Sequence, residues 1–303
     1  MCPHRCSLLD GDVGKCFVRR NKGGMIHNSY DGVLSFVAVD PIEKRPFFHF
    51  YPGSDFLSVG LYGCSFQCVW CENHKISQCV KKGKYTSPNQ LVKLALEKKV
   101  KGIVFTYNEP IVHYEYVMTV ANIAQTAGLQ VALKSNGFAT EKVVRDLNLH
   151  VDAWNIDIKG DDKEYKSCGG DISSVMSSIE LLGRIASHLE ISYVVPGRLV
   201  SHLEHHIYIR DWLSSLSPII PIHLLYLYPS HKVKEFYNKS DLIEIYEVFR
   251  EKMDYVYISN LYDTGIMKRD TLCPRCNSVL ISRAPLPSVI RTSCCEDLAG
   301  IFS

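Results

Sequence analysis

The sequence lacks a long hydrophobic run and a strong charge of either sign. No stretch of the 303-residue chain reaches the roughly 18 consecutive apolar residues that a membrane-spanning helix needs. The 34 basic and 32 acidic residues leave a formal net charge of +2, so no overall basic field points to nucleic acid. We therefore expect neither a membrane span nor a nucleic-acid partner.

Several patterns of common enzymes are missing as well. The first predicted strand runs into "VGLYGC", which has neither the dinucleotide-binding nor the P-loop glycine spacing. No Ser/His/Asp arrangement typical of hydrolases is evident. The chain begins "MCPHRC", without an apolar signal segment. We expect a cytoplasmic protein, in which clustered cysteines bind metal or react instead of forming disulfides.

What the sequence does contain is cysteine, with twelve residues, most of them grouped. The groups are Cys2, Cys6 and Cys16 near the start, Cys64, Cys68 and Cys71 in the interior, and Cys273, Cys276, Cys294 and Cys295 near the end. Cys79 and Cys168 stand alone, and we interpret them as ordinary thiols.

Between the interior and final groups, β-rich runs alternate with amphipathic helical patterns. The predicted strands are residues 56–62, 102–107, 129–134, 153–158, 188–195, 222–228 and 254–259. The predicted helices are residues 88–99, 113–127, 140–147, 171–186, 202–216 and 240–253. This alternation predicts parallel strands with right-handed crossovers. We expect an α/β fold with a partial (β/α)6 barrel; an open doubly wound sheet is the alternative.

Three segments follow from this alternation and from the cysteine groups. We expect an N-terminal cysteine-containing extension over residues 1–54, the partial barrel over residues 55–262 and a C-terminal cysteine knuckle over residues 263–303.

The interior group forms the motif Cys64-x3-Cys68-x2-Cys71 directly after the first predicted strand. In barrels the chemistry lies where strands end and loops begin. A cubic iron–sulfur cluster usually takes four cysteines, so three leave one iron open, by the logic of catalytic zinc sites. We expect a [4Fe-4S] cluster here. A zinc knuckle with His74 as fourth ligand is the alternative.

At these residues the sequence resembles the radical S-adenosylmethionine (SAM) superfamily, whose signature is C-x3-C-x-aromatic-C. Further segments resemble the AmmeMemoRadiSam-system radical SAM enzymes, which are relatives of the pyruvate formate-lyase activating enzymes. These segments are "DPIEKRPFFHFYPGS" (40–54), "YNEP" (107–110), "SNGF" (135–138), "NIDIKG" (155–160), "VVPG" (194–197), "PIHLLYLYP" (221–229) and "LCPRCNSVLISR" (272–283). The resemblance implies that the open iron binds SAM and that an electron from the cluster generates a 5′-deoxyadenosyl radical.

The resemblance also implies a set of SAM-binding residues. Glu109 suits the SAM amino group, Asn136 the ribose hydroxyls, and Asp157 with Lys159 a position near SAM. Each has a structural alternative: a helix-start acid for Glu109, a plain turn at Asn136, and an ion pair between Asp157 and Lys159. Trp70 is expected to cover the adenine, with simple packing as the alternative.

A histidine near the ribose is a further implication. His231 matches the position better than His223, and either residue can instead be an ordinary surface or core histidine. The segments that resemble the family also contain residues expected to face substrate, without an assigned role. These are Glu43, Lys44, His49 and Tyr107.

The terminal cysteines predict one or more additional metal sites, for zinc, iron or a second iron–sulfur cluster. "CPRC", which contains Cys273 and Cys276, resembles half of a zinc ribbon or rubredoxin knuckle. One hypothesis is that Cys294 or Cys295 completes the N-terminal group of Cys2, Cys6 and Cys16. Independent thiols are the alternative.

We therefore expect a radical SAM enzyme that abstracts hydrogen from an unidentified small-molecule or peptide substrate. An electron donor such as ferredoxin or flavodoxin is the expected partner. One alternative is a glycyl-radical activase acting on a partner protein, although only Cys79 lies between Cys71 and Cys168, where complex activators carry extra cysteines. The other is a non-catalytic metal-binding scaffold.

Overall fold

The computed structural model describes residues 1–234, 237–261 and 269–283 and, for the backbone alone, residues 288–289. Its strands are β1 (Arg19–Lys22), β2 (Met25–Asn28), β3 (Phe36–Pro41), β4 (Asp55–Gly60), β5 (Gly102–Thr106), β6 (Gln130–Ser135), β7 (Ala153–Ile158), β8 (Leu189–Val195), β9 (Ile222–Tyr226), β10 (Val256–Ile258), β11 (Thr271–Leu272), β12 (Val279–Ser282) and β13 (Ser288–Val289).

The central element is an eight-stranded sheet in the order β10-β9-β8-β7-β6-β5-β4-β3. Strands β4 to β10 are parallel, and β3 pairs antiparallel with β4 at one edge, for example Val39 with Leu57. All seven predicted strands are present as β4 to β10, which confirms the α/β fold with a parallel, partial-barrel sheet. The edge strand β3 was not predicted.

Helices connect the parallel strands. They are α1 (His74–Ser77), α2 (Pro88–Glu97), α3 (Tyr114–Thr126), α4 (Glu141–Asn148), α5 (Asp162–Cys168), α6 (Ile172–Ile185), α7 (Leu203–Leu216) and α8 (Asp241–Arg250). The six predicted helices are α2, α3, α4, α6, α7 and α8. Local capping begins several of them: Ser87 and Gln90 form a capping box at α2, and Asp171 accepts a hydrogen bond from Ser174 N at α6.

The two faces of the sheet bury different residues. On β5, Ile103 and Phe105 pack in the large core, whereas Val104 points to a second core on the opposite face. That second core includes Phe47 and Phe50 from the chain between β3 and β4. The sequence after β3 therefore fills the inner side of the partial barrel.

Both ends of the described chain pack against the barrel. Met1 O accepts a hydrogen bond from Thr140 N at 2.9 Å. His4 Nε2 lies 2.8 Å from Ser65 O in the cysteine loop, the segment of residues 64–71 that contains Cys64, Cys68 and Cys71. Near the other end, Arg283 donates to Phe48 O at 2.5 Å. The segment boundaries at residues 54 and 262 stay predictions. Within the described ranges, no helix has both the length and the hydropathy that a membrane crossing requires.

Candidate functional site

A cavity of about 640 Å³ lies at the carboxyl ends of the parallel strands. Every strand from β4 to β10, or the loop directly after it, contributes to its wall. The volume is typical of a site for a small molecule or cofactor. The predicted SAM and cluster residues Cys64, Cys68, Cys71, Trp70, Glu109, Asn136, Asp157 and Lys159 all line this one cavity.

The cysteine loop is shaped by the residues before it. Gly63 has a φ of +80°, and a Cβ at this position would lie 2.3 Å from Cys16 O, so the turn requires glycine. Asn108 holds the loop by donating to Gly63 O at 2.9 Å and accepting from Leu61 N at 3.0 Å. This tight entry directs Cys64 into the cavity wall. The anchoring role of Asn108 was not predicted.

The three loop thiols need a metal to be thiolates at neutral pH. Burial raises the pKa of Cys64 and of Cys71, while a hydrogen bond with Cys168, together with burial, raises the pKa of Cys68. A bound metal reverses this preference, because thiolate is the ligand form. Cys168, which we expected to stand apart, is buried beside Cys68, and its carbonyl oxygen accepts from Gln67 N at 2.8 Å.

The donor set suits an iron–sulfur cluster better than a single zinc ion. Within the described ranges, no three Cys, His, Asp or Glu side chains converge on one ion position. His74 Nδ1 lies 3.1 Å from Cys71 O, and the His74 ring stacks on His231 at 4.1 Å. The three thiols instead face a common cavity, as ligands of a larger group would. The zinc knuckle with His74 therefore gains no support.

Glu109 is buried at the cavity wall and is only partly satisfied. Its carboxylate accepts from Ile111 N at 3.0 Å, Ser135 Oγ at 2.8 Å and Asn136 N at 2.8 Å. Glu109 therefore caps the following 3₁₀ turn, as the structural alternative expects, yet one of its four acceptor positions has no partner among the described residues. Burial outweighs these hydrogen bonds and raises the pKa of Glu109 to about 7.

Asp157 and Lys159 form the ion pair that the structural alternative expects, and this pair lines the cavity. Lys159 Nζ lies 2.8 Å from Asp157 Oδ2, and Lys134 pairs with the other carboxylate oxygen. Burial favours the neutral acid, but Lys134 and Lys159 outweigh it and lower the pKa of Asp157 to about 2. Lys134 was not predicted.

Trp70, within the cysteine loop, and Asn136, after β6, both line the cavity. The Trp70 indole is buried, lies 5.3 Å from Lys159 Nζ, and its Nε1 has no acceptor among the described residues. Asn136 Nδ2 donates to Ser65 Oγ at 3.0 Å and lies 3.6 Å from Cys64 Sγ. Gly137 follows with a φ of +70°, and a Cβ at this position would lie 2.7 Å from Ile156 Cγ2, so the position requires glycine.

The predicted histidines lie away from the cavity wall. His231 is outside the described lining and has a φ of +54°. His223 is a buried core histidine, 2.5 Å from Glu190 and 2.8 Å from Ser259. His49 is also buried and lies 2.6 Å from the Tyr257 hydroxyl. Glu43, Lys44 and Tyr107, in contrast, do line the cavity.

The terminal cysteines are only partly described. Cys2 lies near Cys6 and Cys16, and burial raises its pKa, with smaller contributions from both neighbours. Cys273 is buried and Cys276 is exposed in a tight turn, in which Asn277 N donates to Cys273 O at 2.9 Å. Cys294 and Cys295 lie outside the described residues, so their pairing with the N-terminal group stays a hypothesis.

Comparison with known proteins yields a family match over the segment from β4 to α7, which includes the cysteine loop. The model of the radical SAM superfamily matches residues 59–207. An uncharacterized protein of Methanocaldococcus jannaschii is 30% identical over 293 residues, which cover 93% of this chain and 86% of that protein. The 4-hydroxyphenylacetate decarboxylase activating enzyme of Clostridium scatologenes is 27% identical over 125 residues, which cover 39% of each chain.

Solved structures show the same fold. Streptococcus suis SuiB bound to precursor peptide SuiA aligns with a TM-score of 0.52 and 13% identity, over 71% of this chain and 50% of SuiB. SuiB bound to S-adenosylmethionine aligns with a TM-score of 0.51 over 65% of this chain and 45% of SuiB. The chain spans about half the length of SuiB, and at this identity the likeness concerns the fold alone.

Proposed function

The chain belongs to the radical SAM superfamily, and from this membership we propose that it reductively cleaves SAM and uses the resulting 5′-deoxyadenosyl radical to abstract hydrogen from a small-molecule or peptide substrate. The observation that carries the proposal is the convergence of the cysteine loop and the predicted SAM residues on one cavity. An enzyme of this superfamily uses a [4Fe-4S] cluster and SAM, and the proposal assigns both to that cavity.

Cys64, Cys68 and Cys71 would hold the cluster, leaving one iron for SAM. When bound, the cluster supplies the electron for cleavage of the SAM sulfonium bond. Two observations support a cluster with bound SAM in this cavity. The three thiols face the cavity, and the described ranges contain no site for a single metal ion. In addition, the buried Trp70 Nε1 lacks an acceptor among the described residues. A ligand in the cavity would satisfy such an orphaned donor.

The surrounding residues would bind and orient SAM. Glu109, with one acceptor position open, would accept a hydrogen bond from the SAM amino group. Lys159 would contribute positive charge toward the SAM carboxylate, with Asp157 fixing its position. Asn136 would contact the ribose and Trp70 the adenine. Water exclusion by these buried side chains protects the radical.

Anaerobic reconstitution tests the proposal. We expect a brown iron–sulfur chromophore and formation of 5′-deoxyadenosine when dithionite and SAM are added. Cys68→Ala should reduce this product to background, and Cys79→Ala should not, because Cys79 is exposed. Absence of both the chromophore and the product in the wild type would favour the non-catalytic metal-binding scaffold instead.

A glycyl-radical activase acting on a partner protein is the second candidate. The local similarity to the decarboxylase activating enzyme favours it. Electron paramagnetic resonance would detect a glycyl radical on an added partner protein. Deuterium transfer into 5′-deoxyadenosine from labelled small molecules or peptides would identify the other substrate classes. In either case a ferredoxin or flavodoxin in the cytoplasm is the proposed electron donor.

A further inference from the structure

The cavity wall also carries two groups of ion pairs in which the cationic side chains outnumber the carboxylates. Four cationic side chains share two carboxylates; one of the four, Lys159, lies at the cysteine loop, and the other three exceed the two carboxylates by one positive charge. The pairs are Lys44 and Arg45 with Asp40, and Lys134 and Lys159 with Asp157. We call Lys44, Arg45, Tyr107 and Lys134 the cavity floor; all four line the cavity.

The two lysines on Asp157 face different parts of the cavity. Lys159 lies near Trp70 and Cys68, which places its charge at the cysteine loop. Lys134 instead donates to Asn155 Oδ1 at 2.6 Å, and Asn155 Nδ2 donates to Pro46 O at 2.6 Å, beside Arg45. Lys134 and Arg45 are therefore linked through Asn155 and the Pro46 carbonyl, while Asp157 connects Lys134 to the predicted SAM residue Lys159.

The floor has donors to spare. Lys134 Nζ uses two of its three hydrogens, for Asn155 and Asp157, among the described residues. Arg45 Nη2 donates to Asp40 and to the Tyr107 hydroxyl, and Arg45 Nε donates to Ser58 Oγ at 3.0 Å. Arg45 Nη1 donates to Lys44 O at 3.4 Å, which leaves its second hydrogen unused among the described residues. Because the Tyr107 oxygen accepts from Arg45, its own hydrogen remains available to a ligand.

Tyr107 is held in a strained conformation at this floor. Its φ of +70° is unusual for a residue other than glycine and is unfavourable for a side chain of this size. The Arg45 guanidinium lies 4.5 Å from the Tyr107 ring centroid, and the Phe36 ring packs edge-on at 4.9 Å. Such over-determined strain is typical of functional sites.

Among the described residues, the acidic lining residues Glu43, Glu72 and Glu109 form no ion pair with the floor. Burial raises the pKa of Glu43 and, to about 7, that of Glu109. Glu43 already accepts from Gly53 N at 2.7 Å. Glu72 lies at the exposed rim. In a partly buried site, an excess of positive charge and unused N–H and O–H donors favours an anion.

We propose that the cavity floor binds an oxyanion of the substrate, a carboxylate or a phosphate, through Lys134, Arg45 and the Tyr107 hydroxyl. The inference rests on the proposed function and narrows its substrate to an anionic molecule whose charged group binds at the cavity floor. Carboxylate and phosphate both accept charge-assisted hydrogen bonds from such donors, and the experiment below separates them.

Equilibrium binding of inorganic phosphate and of succinate to the cluster-reconstituted, SAM-bound protein tests the proposal. We expect saturable binding of at least one anion. Lys134→Met and Arg45→Gln should bind it at least about tenfold more weakly, because each removes a charged donor. Lys142→Met is the matched control, since Lys142 is exposed on α4 and pairs with Asp146 at 2.6 Å. Preference for phosphate or for succinate identifies the group.

Tyr107→Phe keeps the ring on Arg45 and removes one hydroxyl, so we expect binding weaker by about threefold. If Lys134→Met or Arg45→Gln fails to fold in a thermal unfolding control, the affinity of Tyr107→Phe decides the test. Absence of saturable binding by the wild type, or unchanged affinity in the folded floor variants, overturns the inference. The same samples are assayed for 5′-deoxyadenosine: SAM cleavage without anion binding overturns this inference alone, whereas anion binding without SAM cleavage overturns the proposed function alone.

Discussion

Two buried carboxylates in the same barrel, Glu190 and Glu109, have opposite electrostatic behaviour. Glu190 accepts from Phe48 N and His49 N at 2.9 Å, and from the side chains of His188 and His223. Its four acceptor positions are filled. Burial alone would raise its pKa, but the two histidines outweigh burial and hold the pKa of Glu190 well below its usual range.

Glu109, which is equally buried, has three donors and faces the cavity, and burial raises its pKa to about 7. The difference separates two uses of a buried acid. A carboxylate with all its acceptor positions filled stabilises the fold, whereas one with a vacant position and a raised pKa is available to a ligand. The cluster of Glu190, His188 and His223 is therefore structural. The cavity-lining cluster of Glu109, Asp157, Lys134 and Lys159 is the candidate site.

The largest effect should come from breaking the saturated cluster. Glu190→Gln leaves His223 buried without its charged partner and replaces one carboxylate oxygen by an NH2 donor, so that one of the two backbone N–H groups of Phe48 and His49 loses its acceptor. We expect the free energy of unfolding to fall by roughly 3–5 kcal/mol, measured by urea denaturation. Glu109→Gln should cost less than about half of that, because burial already favours the neutral acid. Equal losses in the two variants would contradict the distinction.

Replacing Asp157 tests whether the cavity-lining cluster acts in ligand binding instead of in stability. Asp157→Asn leaves Lys134 and Lys159 without their shared counter-charge and misplaces both ammonium groups. We expect SAM affinity to fall by about 10- to 100-fold, as for residues that position a ligand's partners, measured by calorimetry on the reconstituted protein. Asp146→Asn is the control, because Asp146 pairs with Lys142 on the surface of α4. An unchanged SAM affinity would mean that Asp157, Lys134 and Lys159 form ion pairs with a structural role alone.

The contributions of Glu109 and Glu190 to the free energy of unfolding should change with pH in opposite directions. Because the folded pKa of Glu109 is raised, its contribution to stability is complete below its ordinary pKa of 4.5 and is lost as the pH rises through about 7. Glu190 has a lowered pKa, so its contribution is present above 4.5 and is lost as the pH falls below that value. The site acid thus destabilises the protein in the range in which it becomes charged.

A SAM amino group that pairs with the charged form of Glu109 would offset the destabilisation that ionisation of Glu109 causes in the protein without SAM. We therefore expect SAM affinity to increase as the pH rises from 6 to 8 through the pKa of about 7. Glu109→Gln should remove most of this increase, and Glu190→Gln should retain it if the variant folds. A pH profile that is the same in Glu109→Gln and in the wild type would exclude Glu109 as the titrating group.

The sequence was sufficient to predict the parallel strands, because each is a short β-rich run between amphipathic helices. It was not sufficient for contacts that depend on tertiary pairing. Lys134 ends the apolar run "VALK", where a lysine normally reaches solvent, but the adjacent β7 places Asp157 beside it. Arg45 reaches Tyr107 across 62 residues, a contact that no local pattern specifies.

Other misses have local causes. The hairpin of β1 and β2 begins with "RRNK", which lacks the apolar alternation of a strand, and the short helix α5 is mostly polar. Cys168 carries no motif, and its position beside Cys68 follows from α5 returning to the cysteine loop. At the site, spacing predicted which residues gather but not which of their hydrogen-bonding positions remain open.

The smallest effect is expected at a single unpaired donor. Trp70 Nε1 lacks an acceptor among the described residues, whereas Trp212 Nε1 donates to Glu180 at 3.1 Å, away from the cavity. Trp70→Phe removes only that N–H and retains a ring. If SAM supplies the acceptor, its affinity should weaken by about 2- to 10-fold, the value of one neutral hydrogen bond. Trp212→Phe should leave the affinity unchanged, and the same result for Trp70→Phe would mean that its ring contributes packing alone.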